Sequence, residues 1–200
     1  MNKLLLNFLF ILASSALFAG GINVGDKAED FRLSNIDGKL VSLGDYKDAK
    51  GFVVVFTCNH CPYAKAYQDR LIEIDQKYKK LGFPVIAINS NDDKIVPDDS
   101  YAEMIKRAKE KNFTFPYLRD EDQKVVTSYG AERTPHIYLL NKEGNDLIVR
   151  YIGAIDDNYK DPGAVSQKYL ENAIDALLKG SLPDPSFTKA IGCTIKMNKL

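Results

Sequence analysis

Two cysteines separated by two residues are the most chemically informative feature of this sequence. Cys58 and Cys61 enclose Asn59 and His60, and cysteines at this spacing can convert between a dithiol and a small disulfide ring. The apolar run 51–56 precedes them and predicts a strand that is buried on both faces. A C-x-x-C motif where a buried strand passes into a helix indicates thiol–disulfide redox chemistry.

The expected roles of the two thiols follow from their predicted place at the helix start. A helix N-terminus carries partial positive charge, so it should stabilise a thiolate on Cys58 and hold its pKa below the free value of about 8.5. Cys61, one turn further in, should be less exposed and should attack a mixed disulfide formed on Cys58. A protonated His60 would add a second positive charge beside the thiolate.

Other uses of the motif are weaker. Haem attachment needs histidine directly after the second cysteine, and Pro62 occupies that position. Structural zinc usually needs four ligands, whereas His60, His136 and Cys193 are scattered along the chain. We therefore predict no metal site and no cofactor. A purely structural disulfide is possible, although such bridges usually join distant segments.

A second candidate segment is Arg133-Thr134-Pro135-His136, directly before a predicted strand. Proline is tolerated at the start of a strand, so this segment can be a simple strand boundary. It can also contain a cis peptide bond before Pro135, which only proline forms at low cost. The residues alone leave both interpretations open.

The remaining elements alternate strand and helix along the chain. The pattern predicts a hairpin turn at 35–38, a helix from 63 to 81 that ends at Gly82, and a strand at 84–89. A polar loop at 91–99, a helix at 100–111 and an extended segment at 113–118 follow. The last predicted elements are a hairpin of 137–140 with 147–153 around a turn at 141–145, and a helix at 166–179. Parallel strands joined by helices predict a three-layer α/β domain.

The chain ends differ in character from the middle. A basic start, a nearly continuous apolar run at 4–18 and small residues after it are typical of a secretory signal peptide, which we assign to 1–19. We expect an exported protein, periplasmic or extracellular, with no stable membrane insertion after cleavage. The domain should occupy 20–180, followed by a tail at 181–200 that contains Cys193.

Composition excludes several classes of protein. Apolar residues make up 45% of the 200 residues, which excludes a disordered chain. Lys plus Arg and Asp plus Glu both number 27, so no net field attracts nucleic acid or an anionic membrane. Three cysteines are too few for a disulfide-dense scaffold.

The order of these motifs resembles the thioredoxin superfamily. The segment 24–33 with 37–39 is similar to the redoxin branch, which includes alkyl hydroperoxide reductase and thiol-specific antioxidant proteins. The motif 58–63, with Tyr67 and Arg70, and the tail 192–196 resemble one subgroup of that branch. The resemblance implies a thioredoxin-like three-layer sandwich: a central mixed sheet, helices on both faces and an N-terminal β-hairpin extension.

The resemblance also implies site roles. Cys58 would be the nucleophile and Cys61 the resolving thiol. Pro135 would be cis and face them, and Thr134 would meet the backbone of a bound substrate. His60 and Asn59 would tune the site or contact substrate.

Two departures from the superfamily limit the chemistry. Thioredoxins place a buried acid where this chain has Phe52, so protons must be handled by His60, His136 or water. Peroxiredoxins carry P-x-x-x-T/S-x-x-C, whereas Gly51 and Val55 occupy the corresponding positions before Cys58. Neither cysteine therefore fits the peroxidatic pattern.

The sequence thus predicts an exported thiol–disulfide oxidoreductase with a general antioxidant role. Its partners would be protein or small-molecule disulfides and thiols, with an electron donor or acceptor that the sequence does not disclose. A peroxiredoxin-type peroxidase and a copper-binding thioredoxin-like protein are the alternatives, although copper-handling relatives use a C-x-x-x-C spacing. For Cys193 we expect a buried, inert thiol; an intermolecular bridge or a second resolving thiol that pairs with Cys58 are the other possibilities.

Overall fold

The computed structural model describes residues 20–198. The predicted signal peptide at 1–19 lies outside the described residues. Within them, no helix has both the length and the apolar character that crossing a bilayer requires.

The described chain forms ten strands and four helices. The strands are β1 (Lys27–Ala28), β2 (Arg32–Asn35), β3 (Leu40–Ser42), β4 (Gly51–Phe56), β5 (Val85–Asn89), β6 (Tyr117–Arg119), β7 (Arg133–Thr134), β8 (His136–Glu143), β9 (Asp146–Gly153) and β10 (Cys193–Thr194). The helices are α1 (Pro62–Tyr78), α2 (Tyr101–Lys111), α3 (Lys124–Tyr129) and α4 (Tyr169–Leu178).

Eight strands form one mixed sheet in the order β1-β9-β8-β4-β5-β6-β2-β3. The central pairs β4–β5 and β5–β6 are parallel, and the pairs of β8 with β4 and β9 are antiparallel. The predicted N-terminal hairpin is β2–β3, and it extends one edge of this sheet. In a second sheet, β10 pairs antiparallel with β7.

The central strand β4 is buried on both sides, as its continuous apolar sequence predicts. Val53 and Val55 belong to a core shared with α1, α2 and α4. Phe52, Val54 and Phe56 belong to a second core, shared with α3 and the N-terminal segment. The predicted fold class, a central mixed sheet between two layers, is confirmed.

The helix after the motif matches the predicted periodicity. Tyr67, Leu71 and Ile74 are buried along one face, and the chain turns after the helix at Gly82, whose φ of 99° suits glycine. Its first residue is Pro62, next to the start at 63 that the periodicity predicts, so Cys58 lies one turn before the helix and not at its start.

Two other predictions needed correction. The predicted turn at 141–145 is shorter, because β8 and β9 extend to a two-residue connection. The six-residue helix α3 was not predicted; it follows Gln123, which adopts a positive φ of 55°. So short a helix provides too few turns for a clear apolar period.

The predicted tail folds back onto the domain. Pro183 and Pro185 lie outside any helix, and the tail adds strand β10. Ile195 is buried in the second core. Residues 193–195 therefore pack as part of the domain.

Candidate active site

The start of α1 decides which cysteine the helix N-terminus faces. Cys61 is the N-cap residue and Pro62 the first helical residue. Proline favours this position because its fixed φ suits a helix and its missing N–H is not needed there. The expectation that Cys58 stands at the helix start was therefore wrong: the positive end of α1 lies at Cys61.

Both thiols of the motif are buried beneath the cis-proline segment. Cys58 and Cys61 each have 0% exposure. Cys58 Sγ lies 3.2 Å from the Thr134 hydroxyl oxygen, and Cys61 Sγ lies 3.2 Å from the Thr134 carbonyl oxygen. The Thr134–Pro135 bond is cis, so the implied cis proline is confirmed, and its segment contacts both sulfurs.

The two thiols have opposite pKa shifts. A hydrogen bond from Cys58 is the main cause that lowers the pKa of Cys61 to about 4, and further help comes from Cys193 and the Ala64 backbone N–H. The same bond with Cys61, together with burial and the Asp99 carboxylate, raises the pKa of Cys58. The two thiols therefore share a proton and titrate as a coupled pair.

These pKa directions contradict two predictions. The pKa of Cys58 is raised, not lowered, and Cys61 is no less exposed than Cys58. The physical reasons are, in order of size, the hydrogen bond with Cys61, burial, and the charge of a carboxylate that the sequence did not reveal.

That carboxylate is Asp99, which is fully buried. It accepts hydrogen bonds from the backbone N–H groups of Asn59 at 2.7 Å and His60 at 3.1 Å, and from the Asn91 amide at 2.6 Å. His60 Nδ1 lies 2.5 Å from Oδ2, the oxygen that also accepts from Asn91, while the two backbone N–H groups bond to Oδ1. A buried carboxylate thus orients the His60 ring beside the motif.

Asn59 supports the loop between β4 and α1. Its side chain donates to the Asp98 carbonyl at 2.9 Å and accepts from the Tyr117 hydroxyl at 2.9 Å. Both ends of a buried amide are therefore used within the chain. These two bonds give Asn59 a role in positioning the motif.

The backbone of Thr134 is not open to an incoming substrate. Cys193 pairs with Thr134, and Thr194 pairs with Arg133, in the β10–β7 ladder. The tail thus lies on the edge where the resemblance implied a substrate backbone.

Cys193 lies beside the motif and is half-buried. Together with Tyr63 it packs against Cys58, Cys61 and Ala64. Burial and the contact with Cys61 raise the pKa of Cys193 to about 11. Cys193 is therefore half-buried and not fully buried as expected.

His136 has a structural environment. Burial, with the charge of Arg133 nearby, lowers its pKa to about 4, so the ring is neutral near pH 7. Nδ1 accepts the backbone N–H of Glu132 at 3.3 Å, and the ring packs on Tyr138. Among the predicted proton carriers, His60 is the one that lies at the motif.

Arg70, which the sequence left without a role, fastens α1 to the segment after β9. Its guanidinium binds Asp156 at 2.5 Å and the carbonyls of Asn158 and Tyr159 at 2.7 Å. The Tyr159 ring then lies 4.3 Å from that of Tyr63, centroid to centroid. Arg70 thus supports one wall of the site.

Ligand atoms of Cys58, His60 and Asp99 lie within 4.8 Å of one another. Sulfur, imidazole and carboxylate form a donor set that zinc accepts. The Asp99 carboxylate already accepts four hydrogen bonds, however, from two backbone and two side-chain nitrogens. A metal would have to displace some of these bonds, so the arrangement fits an orienting carboxylate better than a metal ligand.

Residues 24–152 match the model of the AhpC/TSA family, and the chain belongs to that family. The thiol-disulfide oxidoreductase ResA of Geobacillus thermodenitrificans is 30% identical over 126 residues, which cover 62% of this chain and 66% of ResA. The match thus leaves about a third of that relative's length uncovered.

Solved structures support the fold. An uncharacterized conserved protein from Geobacillus kaustophilus is 40% identical, with a TM-score of 0.80 over 88% of this chain and 93% of that one. The exposed lipoprotein thioredoxin Etrx1 of Streptococcus pneumoniae is 25% identical, with a TM-score of 0.50 over 60% of this chain and 87% of that one. The fold is thioredoxin-like.

Proposed function

We propose that this chain is a thiol–disulfide oxidoreductase whose redox pair is Cys58 and Cys61. The observation that carries the proposal is the adjacency of two buried thiols beside Thr134, with a hydrogen bond between them that lowers the pKa of Cys61. Only a thiolate attacks a disulfide. The name of the ResA relative, a thiol-disulfide oxidoreductase, supports the same activity.

Cys61, rather than Cys58, makes the first attack in this proposal. The Cys61 thiolate bonds to one sulfur of a substrate disulfide, whose S–S bond breaks, and the released substrate thiolate takes up a proton. Cys58 then loses its proton and attacks Cys61. The Cys58–Cys61 bond forms and the second substrate thiolate leaves. Two electrons have passed to the substrate, and its two thiols take one proton released by Cys58 and one from solvent.

His60 and Asp99 serve the proton transfers. The carboxylate fixes His60 Nδ1 at 2.5 Å, which orients the ring beside the loop that carries both cysteines. His60 can then take the proton that Cys58 releases. This pair replaces the buried acid that Phe52 excludes from the usual position.

We infer that the substrates are protein or small-molecule disulfides and that the protein is exported. The apolar run at 4–18 favours secretion. One structural neighbour is named an exposed lipoprotein thioredoxin. Export would place the pair in a compartment where disulfides persist.

Reduction of insulin disulfides by dithiothreitol tests the activity. The wild-type chain should accelerate the reaction, and the double variant Cys58→Ser/Cys61→Ser should not. A parallel peroxide-consumption assay tests the peroxidase alternative, and a chelator added to the insulin assay tests dependence on metal. Peroxide turnover without insulin reduction would contradict the proposal, as would loss of activity with chelator.

Trapping identifies the attacking thiol. Cys193 is replaced together with one motif cysteine, so that the Cys193 thiol cannot attack the mixed disulfide and release the trapped partner. We therefore expect Cys58→Ser/Cys193→Ser to retain mixed disulfides on non-reducing gels of cell extract, through Cys61. The matched variant Cys61→Ser/Cys193→Ser should retain none, and the opposite result would restore attack by Cys58.

A further inference from the structure

The tail passes close to the redox pair at Gly192, a position with no room for a side chain. A Cβ on Gly192 would lie 2.1 Å from the Thr134 carbonyl oxygen. The same oxygen lies 3.2 Å from Cys61 Sγ. Gly192 and Cys61 thus meet at one carbonyl group, and the next tail residue is Cys193.

Several contacts hold the tail in this position besides the β10–β7 ladder. The Ile195 N–H donates to the Glu132 carbonyl at 3.0 Å. The Lys196 N–H donates to the Asn91 side chain at 2.7 Å, and the Lys196 carbonyl accepts from Gln123 at 3.0 Å. Cys193 is therefore presented to the motif by a bonded strand.

Cys61 contacts two thiols, one from the motif and one from the tail. Both the side chain and the backbone N–H of Cys193 stabilise its thiolate, as does the thiol of Cys58. Cys58, by contrast, lies against the Thr134 hydroxyl and near Asp99. A new bond from Cys193 would thus form to Cys61.

We propose that Cys193 is a third redox thiol and that the oxidised chain exchanges its Cys58–Cys61 disulfide for a Cys61–Cys193 disulfide. This inference rests on the proposed function. The Cys193 sulfur, after losing its proton, bonds to Cys61, the Cys58–Cys61 bond breaks, and Cys58 takes up a proton. No oxidant is consumed, because one disulfide replaces another.

The exchange moves oxidising equivalents from a buried pair to a half-buried thiol. Cys58 and Cys61 have no exposed surface, whereas Cys193 has some. An external dithiol would attack the Cys193 sulfur and release Cys61. A leaving thiol with a low pKa departs faster, and the pKa of Cys61 is lowered to about 4.

Peptide mapping tests the linkage directly. The purified chain is equilibrated with oxidised and reduced dithiothreitol, its free thiols are alkylated in acid, and the trypsin digest is analysed by mass spectrometry. Trypsin places Cys58 and Cys61 together in peptide 51–65 and Cys193 in peptide 190–196. A Cys61–Cys193 bond therefore joins two peptides, whereas a Cys58–Cys61 bond stays within one.

Cys58→Ser should yield the cross-linked peptides, and Cys61→Ser, its matched control, should yield none. Cys193→Ser should keep the disulfide within peptide 51–65. The inference fails if Cys61 and Cys193 both stay alkylated in Cys58→Ser under conditions that oxidise the wild type, or if Cys61→Ser cross-links equally. Wild-type insulin reduction, measured in parallel, separates failure of this inference from failure of the proposed function.

Discussion

Asp99 places a buried negative charge beside Cys58 and so helps to decide which thiol keeps the shared proton. Asp99→Asn removes the negative charge. In this variant an amide N–H group would face N–H donors that bond to the carboxylate in the wild type. We expect a lower pKa for Cys58, and a loss of about 1–3 kcal/mol in the free energy of unfolding from the buried groups left unpaired.

Thiolate absorbance against pH, with denaturant unfolding, measures both effects of Asp99→Asn. Asp98→Asn is the matched control because that neighbouring side chain is exposed and only its carbonyl contacts Asn59. An unchanged upper thiol titration in Asp99→Asn would show that the carboxylate does not act on Cys58.

The thiolate of Cys61 makes stability depend on pH. Its folded pKa of about 4 lies below the unfolded value of about 8.5. The stabilisation from Cys61 is therefore lost as the pH falls from ~8.5 toward 4, whereas the raised pKa of Cys58 removes stability as the pH rises above ~8.5. Reduced wild type should lose more stability than Cys61→Ser over that window, and parallel unfolding curves would contradict the assignment.

The sequence revealed the sulfur chemistry of individual residues but not its electrostatics. Cys58 and Cys61 are recognisable because their spacing is local. Asp99 belongs to the loop predicted at 91–99, and only the packing of that loop against the motif brings it to His60. Sequence separation hides such contacts, so the direction of the Cys58 pKa shift was predicted incorrectly.

At the level of elements, the tail strand β10 depends on the close approach of Gly192 to Thr134. Gly192→Ala should push the tail away, because its Cβ would meet the Thr134 carbonyl. We expect less cross-linking of Cys61 to Cys193 on oxidation, while the Cys58–Cys61 disulfide still forms. Peptide mapping of the oxidised variant gives the ratio of the two.

Gly20→Ala is the control for this change, since a Cβ there has nothing within 4 Å. If Gly192→Ala cross-links as fully as Gly20→Ala, the close approach is not what positions Cys193.

Elements with a strong local pattern were predicted well. The apolar strand β4 and the body of α1 lie where their periodicity placed them. Cys58 was expected at the start of α1, which is one turn too early. The preference of Pro62 for the first helical position would have indicated the correct start. Strand β10 has only two residues, and its partner β7 is distant in sequence, so no local sequence pattern predicts it.

Across the whole molecule, the fold delivers three separate chain segments to one sulfur. The β4–α1 loop brings the motif, the segment before β8 brings the cis proline, and the tail brings Cys193. The class of fold was predictable because strands and helices alternate clearly. The convergence on Cys61 was not, since it depends on how the tail returns across the domain.

The reduction potential of the Cys58–Cys61 pair tests the central claim of a redox-active dithiol most directly. Interactions that favour the Cys61 thiolate stabilise the reduced form, which raises the potential. Equilibration with glutathione or dithiothreitol, for wild type and Cys193→Ser, should give a reversible two-electron transition more positive than about −270 mV, the value for thioredoxin. A potential below about −300 mV, typical of structural disulfides, would contradict the account.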